Sequence, residues 1–197
     1  WDKWTTYYAA QNNHLHCLKY ANEQGCPWTS ATCIISAKRG NLACLQYAHS
    51  QGYPWEKSIA YRSAERGALD CLQYAHENGC PWTASTCAFA ASTNQLTCLQ
   101  YAHEHGCPWN SDTCSVAASG GFIECLKYAH RHGCPWDIRT TYIAAVRGHY
   151  ECLKFAIEHG CPYEKMALNT YYEHCERKPT FFAPTRLIRR AFRFSKL

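Results

Sequence analysis

Residues 80–106 read CPWTASTCAFAASTNQLTCLQYAHEHG and carry three cysteines and two histidines. Thiolate and imidazole are common ligands of zinc, and a Cys–His pair is also the core of thiol catalysis. The whole chain holds 15 cysteines and 11 histidines in 197 residues. In a small secreted protein that count would read as a disulfide framework. Each chemistry makes its own demand: a metal site needs its full ligand set, a disulfide needs pairs, and catalysis needs one assembled constellation. The next 27 residues, CPWNSDTCSVAASGGFIECLKYAHRHG, keep the pattern and change much else. The chain therefore supplies its own substitution series.

Three cysteine columns recur. One precedes proline (Cys26, Cys80, Cys107, Cys134, Cys161). One lies seven residues on (Cys33, Cys87, Cys114), and one precedes leucine (Cys17, Cys44, Cys71, Cys98, Cys125, Cys152). Tyr53 replaces the first kind, and Ala60 and Thr141 replace the second. A four-ligand zinc site does not survive losing thiolates one at a time to Tyr and Ala, whereas a buried small hydrophobe does. No Cys-x-x-Cys signature is present. The columns therefore read as core packing, with no metal and no cofactor. Core thiols in this number favour an intracellular, reducing compartment: cytoplasm, nucleus or virion.

The histidines divide. His49, His76, His103 and His130 share a column with Asn22 and Ile157, which suggests a half-buried stripe and not a ligand row. His105, His132 and His159 precede a glycine, where a donor suits the open carbonyls of a last helical turn. No G-x-S-x-G, P-loop, H-E-x-x-H or G-x-G-x-x-G occurs, so the chain reads as no enzyme, with no small-molecule substrate.

The elements that position these residues follow from the period. Pro-Trp recurs at Pro27, Pro54, Pro81, Pro108 and Pro135, and Pro162-Tyr163 continues the series at steps of 27. Each repeat predicts two short helices. The first starts at Asp2, Thr29, Thr83, Asn110 or Asp137, all good N-caps, with Glu56 and Glu164 weaker ones. It ends at Asn13, Gly40, Gly67, Asn94, Gly121 or Gly148, the residue types that tolerate a left-handed conformation. The second carries Cys-Leu and stops at Gly25, Gly52, Gly79, Gly106, Gly133 or Gly160. One helix pair cannot bury its own apolar face, so neighbours must stack into an α-solenoid. The array is expected over 1–178, as one near-complete repeat, five full ones (26–160) and a degenerate last one, with a separate tail over 179–197. It opens in mid-repeat, so it is expected to continue upstream. Trp1, Trp28, Trp55, Trp82, Trp109, Trp136 and Tyr163 are expected to form one aromatic ladder. Tyr20, Tyr47, Tyr74, Tyr101, Tyr128 and Phe155 are expected to form a second.

Residues 145–160 (AVRGHYECLKFAIEHG), 64–79 and 118–133 resemble the ankyrin core of Ala, two variable residues, Gly-His, an aliphatic helix and a closing Gly. The resemblance covers residues 1 to about 175. Each repeat is six residues shorter than the ankyrin standard. Thr-Cys stands where ankyrins have Thr-Pro-Leu-His. The resemblance implies an all-α solenoid of stacked helix-turn-helix repeats lacking the β-hairpin finger. The compact Cys-Pro-Trp form is similar to ankyrin-like arrays that abound in giant DNA viruses and some protists. It implies a non-catalytic protein–protein interaction module, a scaffold or adaptor.

In an array, function lies where repeats differ. The pair before the first helix's closing turn varies most: Gln11-Asn12, Lys38-Arg39, Glu65-Arg66, Ser92-Thr93, Ser119-Gly120, Val146-Arg147. The resemblance places that pair on the recognition face. Trp4 near the start of the first helix, and Tyr61 and Tyr142 further along it, also vary. The candidate partner-binding residues are Trp4, Lys38, Arg39, Tyr61, Glu65, Arg66, Ser92, Thr93, Tyr142 and Arg147.

The net charge of +5 sits entirely in residues 179–197, with Arg186, Arg189, Arg190 and Arg193 as candidate tail contacts and Phe181 and Phe182 as a candidate cap. The body is neutral, which argues against nucleic-acid binding there. The tail offers RNA or an acidic surface a contact. The alternative function is therefore a structural subunit of a large assembly, a viral particle or ribonucleoprotein, anchored by the tail. Ser195-Lys196-Leu197 matches a peroxisomal address only if Leu197 is the native C-terminus. No apolar run approaches the roughly 18 residues of a membrane span. Elemental analysis of the purified protein is expected to find no stoichiometric zinc; one equivalent or more would restore the metal reading.

Overall fold

A computed structural model describes residues 2–177. Trp1 and the tail residues Phe181, Phe182, Arg186, Arg189, Arg190 and Arg193 lie outside the described residues. The first helices of successive repeats are α1 (Lys3–Gln11), α3 (Ser30–Arg39), α5 (Lys57–Arg66), α7 (Ala84–Ser92), α9 (Ser111–Gly120), α11 (Ile138–Val146) and α13 (Lys165–Arg177). The second helices are α2 (Leu15–Glu23), α4 (Leu42–Ser50), α6 (Leu69–Glu77), α8 (Leu96–Glu104), α10 (Ile123–Arg131) and α12 (Tyr150–Glu158). No strand occurs among the described residues, in keeping with repeats that lack the β-hairpin finger. Helices of 9 or 10 residues are too short to persist alone and draw their stability from packing.

The described chain falls into two compact units. One holds residues 1–90 with 95–108, the other 91–94 with the chain from Trp109 on. Within the first, α1, α3 and α5 stack as one layer and α2, α4, α6 and α8 as a second. Within the other, α11 packs between α9 and α13, and α12 packs against α10 and α13. Each unit is thus a length of α-solenoid.

Every helix end foreseen from Gly or Asn is left-handed. Asn13 and Asn94 have φ of 58° and 60°, and Gly40 and Gly133 have 74° and 79°. The turns are Schellman caps. After α2, the Gly25 N–H donates to the Asn22 carbonyl and the Cys26 N–H to the Ala21 carbonyl. The same pair of bonds recurs before Cys80, Cys107, Cys134 and Cys161. N-caps hold in part. Asp2, Asn110 and Asp137 accept from backbone N–H groups of the first turn, whereas the Thr29 and Glu56 side chains make no capping bond. In those two the backbone alone enters the helix, through Thr32 N–H to Thr29 C=O and Ile59 N–H to Glu56 C=O.

The cap delivers the pre-proline cysteine onto the preceding repeat. Cys26 Sγ lies 3.0 Å from the Asp2 carbonyl, Cys80 Sγ 3.5 Å from Glu56, and Cys107 Sγ 3.4 Å from Thr83. Cys134 Sγ lies 3.3 Å from the Asn110 carbonyl and Cys161 Sγ 3.3 Å from Asp137. Each thiol donates to the carbonyl that opens a first helix one repeat earlier. Thr86, Thr113 and Thr140 are buried at the same junctions, and no hydrogen-bond partner reaches their hydroxyls among the described residues. The cysteine columns are core, as expected, with one exception. Cys44 and Cys125 reach the Asn13 and Asn94 side chains of the preceding turn, at 3.7 Å each. Cys17 has no such turn before it among the described residues and is exposed. The leucines Leu18, Leu45, Leu72, Leu99, Leu126 and Leu153 are fully buried beside them.

The aromatic ladders differ from expectation. Trp55, Trp82 and Trp136 each lie on a histidine of the stripe: His49 on Trp55 at 4.2 Å, His76 on Trp82 at 4.0 Å, His130 on Trp136 at 3.9 Å, while Trp28 stacks on Tyr53 at 4.7 Å. The same histidine Nδ1 pairs with the tyrosine hydroxyl of the next repeat, His49 with Tyr74 at 2.9 Å and His76 with Tyr101 at 3.0 Å. Asn22 makes the equivalent bond, donating to the Tyr47 hydroxyl at 3.0 Å. Trp55 and Trp82 meet Tyr74 and Tyr101 edge-on. One mixed ladder of His, Trp and Tyr therefore replaces the two expected rows. The half-buried stripe is as the column composition implied. His105 and His159 donate to the Tyr101 and Phe155 carbonyls, each at 2.8 Å, so they do close the last turn.

Burial, and then the neighbouring His105 or His159, holds His76 and His130 below the ordinary histidine pKa, while Glu77 opposes the shift at His76. The unfolded chain then binds more protons below about pH 6.5, so stability is complete above that value and falls as pH drops through it. Denaturant unfolding at pH 7.5 and 5 is expected to show that loss. His76→Asn/His130→Asn, which copies the natural Asn22 arrangement, should make the slope shallower; an unchanged slope would remove these residues from the titration. At Gly133 an added Cβ meets nothing within 4 Å, so Gly133→Ala isolates the backbone term. It should cost about 1–2 kcal/mol of unfolding free energy, and Gly133→Asn distinctly less.

Candidate partner-binding surface

In the first unit, α1 presents Trp4 and Tyr8 one turn apart, 49% and 55% exposed. Trp4 meets the Tyr7 ring edge-on at 5.7 Å and the Tyr8 ring at 6.2 Å, and Lys3 Nζ lies 5.5 Å from the Trp4 ring. The cluster is held by contacts within one helix, so its outer surface stays open. Tyr8 is the residue sequence reasoning passed over. Its signal was its place four residues after Trp4, on the same helix face.

The remaining candidates of that unit are not equivalent. Arg39 and Arg66 are exposed, while Lys38 is half-buried. Glu65 is tied to Arg62 at 2.8 Å, and the Arg62 guanidinium lies over the Tyr61 ring at 5.3 Å. Tyr61 itself stacks on Phe89 at 4.9 Å and 20°. Tyr61 and Glu65 therefore form a packed rung between α5 and α7, and an incoming partner would find Arg66 before either. Trp4 is gathered with Tyr8, not with the arginines.

In the second unit, Ser92 and Thr93 are half-buried and have partners within the chain. Helix α11 is the open element. Ile138, Tyr142 and Val146 are 39%, 48% and 61% exposed and recur every four residues, which puts them on one face. Arg147 follows, also exposed. Met166 and Tyr163 add exposed apolar surface at α13 and the turn before it. Arg139 fixes the start of α11. It bridges Asp137 at 2.9 Å and Asp112 at 3.0 Å and donates to the Ser111 hydroxyl at 3.0 Å. The Arg139 guanidinium draws the Asp137 carboxyl below its usual range. Sequence comparison of the repeats marked Tyr142 and Val146 as variable without marking the face they share with Ile138. Three apolar residues at i, i+4 and i+8 carry that information, but only once the buried face is known.

The arrangement offers contact chemistry. Burial pushes the Cys71 and Cys152 thiols up to about 12, and Cys80, Cys98 and Cys125 to about 11, so these stay protonated and unreactive at neutral pH. Among the described residues no group of three or more His, Cys, Asp or Glu is placed to hold a metal ion. No helix among them is long and apolar enough to cross a membrane.

No protein-family model matches the chain, and no curated protein matches it. Among solved structures, the human ASB11 ankyrin repeat domain is similar, with a TM-score of 0.70. The match covers 84% of this chain and 90% of that one at 16% sequence identity. At that identity the likeness is one of fold: this chain has the helical-repeat architecture of an ankyrin repeat domain.

Proposed function

We propose that the chain is a non-catalytic protein-interaction module that acts as a scaffold or adaptor in an intracellular, reducing compartment. The observation that carries this is the apolar face of α11. Ile138, Tyr142 and Val146 are exposed where the same positions in α9 hold Ser111, Ser115 and Ser119. The fold does not need them: α9 packs as an equivalent helix without them. An exposed aliphatic–aromatic row that differs between repeats is a contact surface, and Tyr is a typical interface anchor. Arg147 on the same helix, and Arg39 and Arg66 on the first unit, add cationic contacts suited to acidic side chains of a protein partner.

The ankyrin fold supports this reading, because such repeats present variable first-helix positions to protein partners. The short Cys-Pro-Trp form fits the compact arrays of giant viruses and protists. The rival reading, a structural subunit anchored on RNA or acidic protein by Arg186, Arg189, Arg190 and Arg193, is supported by the charge of residues 179–197.

Affinity purification with the full chain, followed by mass spectrometry, is expected to yield a protein partner whose binding depends on these faces. Tyr142→Ser/Val146→Ser should weaken it roughly tenfold to thirtyfold. Arg39→Glu/Arg66→Glu should weaken it by a similar factor, with helical circular dichroism unchanged in both. Deletion of 183–197 should leave it intact. Binding that survives both double variants but is lost with the tail, or to moderate salt on RNA, would favour the rival.

A further inference from the structure

Positions that the array buries at its internal junctions lie open on the first helix pair. Cys44, Cys71, Cys98, Cys125 and Cys152 are fully buried or nearly so, whereas Cys17, in the same column, is exposed. Ile35 is 7% exposed, and Phe89, Val116 and Ile143 at the same position are half-buried, but Tyr8 is 55% exposed. Tyr20 is 53% exposed where Tyr47, Tyr74, Tyr101 and Tyr128 are half-buried. Thr32, Thr86, Thr113 and Thr140 are fully buried, and Thr5 is not. Thr5, Tyr8, Cys17 and Tyr20 line one chiefly apolar cavity of about 570 Å³, together with Ala9 and His14. Trp4 is not of this set, since its counterpart Ser85 is exposed within the array.

What covers these positions elsewhere is visible at the next junction. Ile35 and Cys44 of the second helix pair share a core cluster with Ala9, Ala10 and Leu18 of the first. The Cys44 sulfur lies 3.7 Å from Asn13 Oδ1 in the preceding left-handed turn, and Cys125 repeats the contact with Asn94. Asn41 Nδ2 donates to the Ala10 and Gln11 carbonyls at 2.7 and 3.2 Å and so closes the end of α1. From the preceding second helix, Asn22 donates to the Tyr47 hydroxyl. One repeat back, His14 stands where Asn41 stands, Cys17 where Cys44, Tyr8 where Ile35 and Tyr20 where Tyr47. The first pair thus keeps the residue types of a covered junction: a ring donor, a thiol, a phenol and an apolar floor. A repeat that closes an array carries a polar outer face instead.

We propose that this face of α1 and α2 is an acceptor for one further helix pair of the same repeat kind, supplied by the same polypeptide ahead of Trp1. The first helix of the incoming pair lays its small residues against Tyr8 and Ala9 and offers its last carbonyls to the His14 ring N–H. Its left-handed Asn or Gly turn covers Cys17. Its second helix brings an Asn or His to the Tyr20 hydroxyl, as Asn22 and His49 do for Tyr47 and Tyr74. Supply in line follows from how the later junctions are held. There a short Gly-Cys-Pro turn, bonded back onto its own helix, fixes the offset between neighbours. A helix pair arriving from another chain has no such link. The face is distinct from the open row of α11 and does not depend on what that row binds.

The chain is extended by a copy of residues 55–81, whose Cys80-Pro81 then runs into Trp1 as it does into Trp82. A second extension copies residues 109–135 and keeps the test decisive where the first does not fold. Native protein is labelled with iodoacetamide and mapped by mass spectrometry. Cys17 is expected to react readily in the chain 1–197 and at least about tenfold more slowly in the extended chains, which also gain a higher thermal midpoint. Tyr8→Lys should leave the midpoint of the chain 1–197 nearly unchanged and cancel the gain of the extended ones. Cys17 labelled at equal rates in all three proteins, or a midpoint that neither extension raises, would overturn the assignment. So would a chain 1–197 that sediments as a dimer with Cys17 protected, because that gives the face to a second copy.

Discussion

The left-handed turn after each second helix is the constraint on which the rest depends. It gives the cysteine N–H back to its own helix, as Cys134 does to Ala129, and so fixes where the cysteine side chain must go. That side chain then lies on the Asn110 carbonyl 24 residues earlier. Proline follows and prevents any continuation of the helix. One backbone conformation, open to glycine and closed to most residues, thereby sets the offset between neighbouring repeats. The His–Trp–Tyr ladder inherits that offset: His76 reaches Trp82 six residues on and Tyr101 twenty-five residues on only because the turn between them is short.

Much of this was legible from periodicity. Helix ends were readable because Gly and Asn are the residues a positive φ admits, and Asn13 and Asn94 obey the same rule as Gly40. Burial of the cysteines was readable because Ala60 and Tyr53 share their columns. The ladder was misread, because a column gives what recurs and not what touches. Whether Trp82 meets Trp55 or His76 is decided by the direction in which the chain leaves the Gly79 turn, which no spacing records. The candidate surface was half legible for the same reason. Variation marked Tyr61 and Tyr142 alike, yet Tyr61 is packed on Phe89 while Tyr142 is open. The difference lies in Phe89, one repeat away, whose counterpart for Tyr142 is a threonine, Thr170.

Division of labour inside the repeat follows from which side chains serve the neighbours. The second helix spends its cysteine, leucine and histidine on adjacent repeats, as Cys44, Leu45 and His49 show. The first helix gives its threonine and small residues to the junction, as with Thr113, Ala117 and Ala118, and in α11 is left with an open face of Ile138, Tyr142 and Val146. Residues there change without loss of packing, from the serines of α9 to the apolar row of α11. Stability and the proposed recognition surface thus occupy separate faces of one short helix. A residue can be exchanged on one without disturbing the other.

The thiols sharpen that separation. A core built from cysteine is nearly as small and apolar as one built from alanine, so packing alone does not choose between Cys87 and Ala60 at equivalent places. What differs is the neighbour. A lone thiol opposite Ala60 donates to a carbonyl and is otherwise inert, as burial keeps Cys80 protonated. Near Cys87 and Cys114, the Cys107 and Cys134 thiols are instead held below the ordinary thiol pKa, first by the donor those neighbours supply and against burial. Substituting one methyl-sized group thus leaves the fold unchanged and alters the chemistry of its junction. In a repeat protein such changes accumulate junction by junction, because each contact is confined to adjacent repeats.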